Sequence, residues 1–367
     1  MPYFIESASL EAKDCLKITS PEEIKFLDPA SGSGHILVYA FDILTKIYEE
    51  EGYSTNEIPT LIIEKNLYGF EIDERAAQLS GLALMMKARQ YQNRAFKYVL
   101  NPRIICFEDL SVNTNEIKEI INQINLGISN ELIYDLSLMR DATNFGSLII
   151  PKATTSEIAE VIEKLNKSKL NSDVFQIGMI DAFLRSCVQL LKLGEKYHCV
   201  VTNPPYMGGG NINKELAELV RVSYPFSKAD LMACFMERGL DLTFANGLLG
   251  MINLPSWLFL FSFEKLRKKI VKTSHIDSLL HMGRGIFGID WGSTAFILVN
   301  NKIDVVGHYF KLHKRNFQHI YSDHIKEIFL KARNDYEVKI NFDRYREGQG
   351  TAIVEKMIDS NGMQIVY

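Results

Sequence analysis

A chain of 367 residues, 47% apolar and 23% charged, is long enough for one large or two ordinary domains and too apolar for wholesale disorder. Its 41 basic and 45 acidic residues leave a net charge of −4, which excludes a uniformly basic coat; any contact with nucleic acid must come from a local patch. The five cysteines form no CxxC pair, no apolar run reaches about 18 residues, and no signal-peptide pattern opens the chain, so the expectation is a cytoplasmic protein with neither disulfide framework nor membrane span.

In chain order, short apolar runs alternate with helical patterns, the signature of a parallel sheet wrapped by helices. Seven strands are predicted: Ile24–Asp28, Asn66–Ile72, Arg103–Phe107, His198–Thr202, Gly247–Asn253, Ile276–Met282 and Thr294–Asn300. Between the first two lies a helix with apolar residues at helical spacing and Gly52 as its stop; after the second comes an amphipathic helix that Asp73 is placed to cap. This strand-helix-strand-helix-strand order is that of a nucleotide-binding half-sheet. Residues 111–180 carry polar helical patterns without a strong strand signal and read as a helical insertion, since a structureless loop of that length is improbable in a compact domain. The sheet resumes with the helix ending at Gly194. From about residue 311 the pattern turns sparse and charged.

Four segments carry chemistry. In Phe26–His35, a strand runs into Asp28-Pro29-Ala30 and then Ser31-Gly32-Ser33-Gly34 ahead of a long helix. Glycines there allow a sharp turn and close approach of backbone to a ligand, and the helix's free N–H groups face that ligand. Alone, the segment fits a nucleotide-like ligand or a plain structural turn; a P-loop is excluded, because no Gly-Lys-Ser/Thr follows. Glu71, at the end of the second strand, is placed either to accept a ribose's hydroxyls or to cap the next helix. Asp109, just past the third strand, is either an acceptor for an adenine amine or a surface carboxylate. The fourth segment, Val200–Tyr206, is sharper. Pro204 and Pro205 fix the backbone and offer no N–H, leaving the Pro204 carbonyl free to accept, with the Asn203 side-chain oxygen beside it. Two convergent acceptors plus the Tyr206 ring suit a planar amine. Bonds to both its protons favour pyramidalisation, which localises the nitrogen lone pair for attack.

DPASGSG, Glu71, Asp109 and NPPY, in that order, resemble the amino-group DNA methyltransferases that use S-adenosyl-L-methionine. DPASGSGHILVYAFD, GFEIDERAAQLSGLALMMKA, VVTNPPYMGGG, ADLMACFMERGL and GIFGIDWGSTAFILVN are similar to PglX-type adenine methyltransferases of BREX phage-defence systems, over roughly residues 24–310. The resemblance implies an α/β, Rossmann-like class I methyltransferase fold: a seven-stranded, mostly parallel sheet with one antiparallel strand and a helical insertion. It implies that Asp28, Ala30, Ser31, Gly32, Gly34, Glu71, Ile72, Asp109 and Asn203 hold the cofactor. Asn203, Pro204, Pro205 and Tyr206 would grip the exocyclic amine of an adenine flipped out of double-stranded DNA, and Tyr206 and Phe287 would stack on the base. Other defence-system subunits are expected partners. Residues 1–23 are then a lead-in, 24–310 the catalytic domain and 311–367 the start of a C-terminal region, the family's members being several times longer. The family's aromatic-Thr-Pro motif has no match in Met1–Glu23.

The eight histidines form no HxH, HExxH or Cys-His cluster, so no metal is expected. Met232 and Phe235 read as core. Glu264–Lys272 and Lys311–Arg315 are the concentrated basic stretches, either meeting phosphates or lying as solvated faces. Two rival readings are a protein glutamine methyltransferase, which also uses NPPY, and a non-catalytic defence subunit.

Overall fold

The computed structural model describes residue 5 and residues 15–92, 100–112, 114–123, 126–169, 174–286, 292–303, 305, 307–313 and 322–334. The chain divides into two compact units, residues 19–197 and residues 198–367 together with 1–18.

The first unit opens with β1 (Phe26–Asp28), α1 (His35–Glu50), α2 (Ile58–Leu61), β2 (Leu67–Glu71), α3 (Glu74–Tyr91) and β3 (Arg103–Cys106). Its strands lie in the order β3-β2-β1, with both pairings parallel. The first four residues of β2 are fully buried, as expected of a parallel strand covered on both faces. On α1, Leu37, Phe41, Leu44 and Tyr48 fall at helical spacing and form one core with Leu84 and Ala88 of α3. Asp73 caps α3 as expected, its Oδ1 accepting from the Ala76 N–H at 2.8 Å. Beneath this core the buried Asn66 amide donates to the Pro21 and Ile24 carbonyls at 2.7 and 2.8 Å, and its oxygen accepts from the Tyr48 hydroxyl at 2.9 Å. All of that amide's strong bonds are internal, so it ties the lead-in to the start of β2.

The insertion is helical, as its patterning indicates: α4 (Thr114–Gln123), α5 (Asn130–Leu138), α6 (Ala142–Phe145), α7 (Thr155–Ser168) and the start of α8 (Val174–Gly194). Ser129 and Thr154 cap α5 and α7 with their hydroxyls. The fully buried Asp135 carboxylate accepts from the Lys152 and Ala153 N–H groups; burial holds its pKa above the ordinary carboxylate range.

The second unit takes up β4 (Tyr197–Thr202) from its second residue and continues through α9 (Lys214–Ser223), α10 (Leu231–Leu242), β5 (Thr243–Asn253), α11 (Glu264–Thr273), β6 (His275–Gly283), β7 (Ser293–Val299), β8 (His308–Lys311) and α12 (Ser322–Asn334). The order here is β4-β5-β7-β6-β8. Strand β7 runs antiparallel to both β5 and β6, and β8 is parallel to β6. Eight strands are thus described against seven predicted. The additional one, β8, has only four residues, two of them His and Lys, and owes its extended form to pairing with β6 rather than to any pattern of its own. Helix α10 is buried over most of its length, Met232 and Phe235 included. Among the described residues, no helix is long and apolar enough to cross a membrane.

Candidate active site

The glycine loop is folded by its own polar groups. Asp28 Oδ1 accepts from the Ala30 N–H at 3.1 Å, a side-chain turn that bends the chain at Pro29. The Ser31 N–H donates to the Phe70 carbonyl at 2.9 Å, carrying the loop along β2. Gly32 donates to Glu71 Oε2 at 2.7 Å, while Oε1 of the same carboxylate accepts from Ile72 and Asp73 at 2.9 and 3.0 Å. Glu71 therefore joins the loop after β1 to the loop after β2, and its Oε2 keeps one further lone pair for a ligand.

The two glycines do different work. Gly34 begins α1 at φ +84°, and a Cβ there would fall 2.5 Å from Ser80 Oγ and 3.0 Å from Ser80 Cα, so only glycine lets α1 start this close to α3. Gly32, at φ +51°, has nothing within 4 Å of where a Cβ would stand. That is open space above a backbone with no side chain, where a ligand can approach. Ser31 Oγ beneath it is buried with no hydrogen-bond partner.

Beyond Glu71 lies a cavity of about 870 Å³, in the size range of small-molecule sites. Ile72, Phe107, Asp109 and Thr143 line it; Asp28, Ser31, Gly32 and Glu71 do not. Asp109 accepts from the Thr143 N–H at 2.8 Å and from its hydroxyl at 3.0 Å. Gly146, at φ +49°, passes so close to Ile72 that a Cβ would lie 2.7 Å from its Cγ2, and the Ser147 hydroxyl donates to the Pro29 carbonyl. Residues 143–147 of the insertion thus contact the ends of β1, β2 and β3, a role that helical patterning did not indicate. The glycine-serine break in Asn144-Phe145-Gly146-Ser147 is the local signal that could have found it.

In the second unit, Asn203 and Pro205 are exposed, Pro204 is buried and Tyr206 is half-buried. The Tyr206 hydroxyl donates to Asn203 Oδ1 at 2.5 Å, with the Ile252 carbonyl 3.3 Å away as a second acceptor. Burial pushes the Tyr206 phenol up to about 12, so it stays a neutral donor at ordinary pH. The amide oxygen is thereby oriented and retains a second lone pair. The following loop is pinned by Asp230, whose Oδ1 accepts from Met207 at 3.2 Å and caps α10 through Met232 at 3.0 Å; Leu231 in turn donates to the Met207 carbonyl at 3.0 Å. Burial raises the Asp230 pKa above its ordinary value. Phe287 lies outside the described residues. Within the basic run of α11 one residue is not on an open face: Arg267 is buried and donates to the Trp257 and Leu260 carbonyls at 2.9 and 2.7 Å.

A parallel half-sheet with a glycine loop after β1, an acidic residue ending β2, an antiparallel β7 between β5 and β6, and Asn-Pro-Pro-Tyr after β4 are the elements of a class I methyltransferase fold. The chain belongs to the Eco57I restriction-modification methylase family, whose model matches residues 65–287. It is 33% identical over 334 residues to the adenine-specific methyltransferase BrxX of Escherichia coli O9:H4 (strain HS), covering 82% of this chain and 28% of that protein. It is 36% identical over 300 residues to the adenine-specific methyltransferase PglX of Lacticaseibacillus casei (strain Zhang), covering 79% and 25%. The chain therefore spans about a quarter of the length of these curated relatives. Among solved structures it is similar in fold to a nuclease-deletion mutant of the Type ISP restriction-modification enzyme LlaGI, solved with a DNA substrate mimic; the TM-score is 0.54 at 15% identity, over 87% of this chain and 24% of that one.

Proposed function

We propose that this chain is the catalytic part of a DNA adenine methyltransferase, moving a methyl group from S-adenosyl-L-methionine to the exocyclic amine of an adenine flipped out of double-stranded DNA, in the marking of host DNA for phage defence. The observation that carries this reading is the Tyr206 hydroxyl fixed on Asn203 Oδ1, which leaves an oriented amide acceptor on a loop pinned by Asp230. Family membership and the adenine-specific relatives support it.

The residues present fit the cofactor. The open face of Gly32 admits a ligand against bare backbone, Ser31 Oγ lacks a partner, and Glu71 retains acceptor capacity toward hydroxyls. Ile72 and Phe107 offer apolar surface to a purine, and Asp109 offers an acceptor to its amine. Asp28 and Ala30 shape the loop, and Gly34 sets the start of α1. When bound, the cofactor supplies an electrophilic methyl on a sulfonium. The chain's own residues then act on the base. Asn203 Oδ1 and the Pro204 carbonyl accept the two amine hydrogens, drawing nitrogen toward a pyramidal geometry with its lone pair free for attack. Pro205 stiffens that carbonyl's position, and Tyr206 presents its ring to the base. The proton displaced on methylation leaves to solvent. Position and two acceptors suffice, with extrusion of the base costing about a few kcal/mol.

The test is Asn203→Ala, assayed with labelled cofactor and phage-type duplex DNA followed by nucleoside analysis. Cofactor binding should persist while N6-methyladenine formation falls by about 10²–10³-fold, the usual effect of removing one oriented hydrogen-bonding group from a reacting centre. Unchanged turnover would remove Asn203 from the reaction, and label appearing in protein would replace the DNA substrate with a glutamine side chain.

A further inference from the structure

Between β5 and α11 the chain makes two short 3₁₀ turns, Pro255–Leu258 and Phe261–Phe263. Trp257, Leu258 and Phe263 are buried and form the base of this loop. Its tip does the opposite. Phe259 and Leu260 are 40% and 45% exposed and Phe261 is 82% exposed, three large apolar side chains in a row facing solvent. Such a tip costs solubility and is expected to collapse onto the surface unless something holds it out. The buried Arg267 guanidinium does so, reaching back from α11 to the Trp257 and Leu260 carbonyls on either side of Phe259, and the Leu260 N–H closes onto the Ser256 carbonyl at 2.9 Å.

Two further observations say what the tip meets. The first is charge. Helix α11 starts three residues after Phe261 and carries Lys265, Lys268, Lys269 and Lys272 at i, i+3, i+4 and i+7, all exposed and on one face, opposite the buried Leu266, Arg267 and Ile270. Glu264 and Glu237 balance Lys268 and Lys269, while Lys265 and Lys272 end the stripe in a chain whose overall charge is −4. The stripe is about 10 Å long, the rise of some three phosphates along one DNA strand. The second is position. Gly250 of β5 packs against Val201 of β4, and further on the Tyr206 hydroxyl lies 3.3 Å from the Ile252 carbonyl. Strands β4 and β5 thus lie side by side, and the loop after β5 opens beside Asn203-Pro204-Pro205-Tyr206.

We infer that Phe259, Leu260 and Phe261 form a wedge that enters the base stack of duplex DNA next to the extruded adenine, with the lysine stripe of α11 on the adjoining phosphates. This rests on the DNA reading above and adds to it the surface that opens the duplex. Apolar side chains inserted between base steps unstack them, and a preformed wedge lowers the cost of holding a base outside the helix. A wedge matters most where the pair is intact and least where it is already broken, which separates it from a general DNA contact.

The experiment uses the full chain with S-adenosyl-L-methionine and two fluorescein-labelled duplexes, one fully paired and one carrying a mismatched adenine, read by anisotropy. Phe261→Ala should weaken binding to the paired duplex by about tenfold and to the mismatched duplex by less than about threefold, with Phe261→Trp restoring the paired value. Lys265→Ala with Lys272→Ala should lower the slope of log affinity against log salt by about 2 on both duplexes. Equal loss on the two duplexes, or none on either, overturns the wedge while leaving DNA methylation standing. If the wild-type chain binds neither duplex, the DNA reading fails and the wedge with it. Circular dichroism of each variant confirms that the fold survives.

Discussion

Substituting alanine at Gly34 and, separately, at Gly32 distinguishes a glycine that the fold requires from one that the ligand requires. Both residues have positive φ, so each alanine incurs about 1–2 kcal/mol of backbone strain. At Gly34 the new Cβ also meets Ser80 Oγ at 2.5 Å and Ser80 Cα at 3.0 Å. The oxygen could rotate away, but the backbone carbon belongs to α3, so α1 and α3 must part and an overpacking cost of about 1–3 kcal/mol is added. Gly34→Ala is therefore expected to destabilise the protein by about 2–5 kcal/mol. At Gly32 nothing lies within 4 Å, so only the strain remains. The same methyl projects into the space assigned to the cofactor, and a loss of about 10–100-fold in affinity for S-adenosyl-L-methionine is expected. Urea denaturation and isothermal calorimetry on both variants provide the readout. Wild-type cofactor affinity in Gly32→Ala would refute the assignment of that open face, and wild-type stability in Gly34→Ala would refute the packing argument.

Asn66→Ala should cost about 2–4 kcal/mol in urea unfolding, because it strands the buried Tyr48 hydroxyl and the Ile24 carbonyl and takes one of two donors from the Pro21 carbonyl, without touching either motif. Tyr206→Phe keeps the ring and removes the hydroxyl that orients Asn203, so the methylation rate should fall by about five- to tenfold with cofactor affinity unchanged in calorimetry. For Tyr206 the folded state favours the neutral phenol, with a pKa of about 12 against an ordinary value near 10. Unfolding above that ordinary value therefore releases a proton, and this contribution to stability, complete below about pH 10, is lost as pH rises toward about 12. Tyr91, also raised to about 12 by burial, acts in the same direction. The drop in urea midpoint between about pH 9 and about pH 11 should accordingly be smaller in Tyr206→Phe than in the wild type.

What the amino-acid order determined by itself was local. Seven strands and the helices between them follow from short-range apolar periodicity, and Asp73 caps α3 because a carboxylate three residues before a free N–H suffices. Gly32, Gly34 and Asn203 through Tyr206 announce themselves because their chemistry is written in adjacent residues. Only the tertiary structure decided which distant groups complete each part. Thr143 reaches Asp109 across 34 residues and Ser147 reaches Pro29 across 118, from an insertion whose sequence reads only as polar helix. Asp230 pins Met207 from 23 residues away. Arg267, a basic residue within a basic run, turned out to be an interior strut under an exposed aromatic tip. The reason is common to these cases. Periodicity reports which face of an element is apolar, whereas a hydrogen bond to a loop exists only once packing has brought the groups within about 3 Å, and for Thr143, Ser147 and Asp230 no short window of sequence contains both partners.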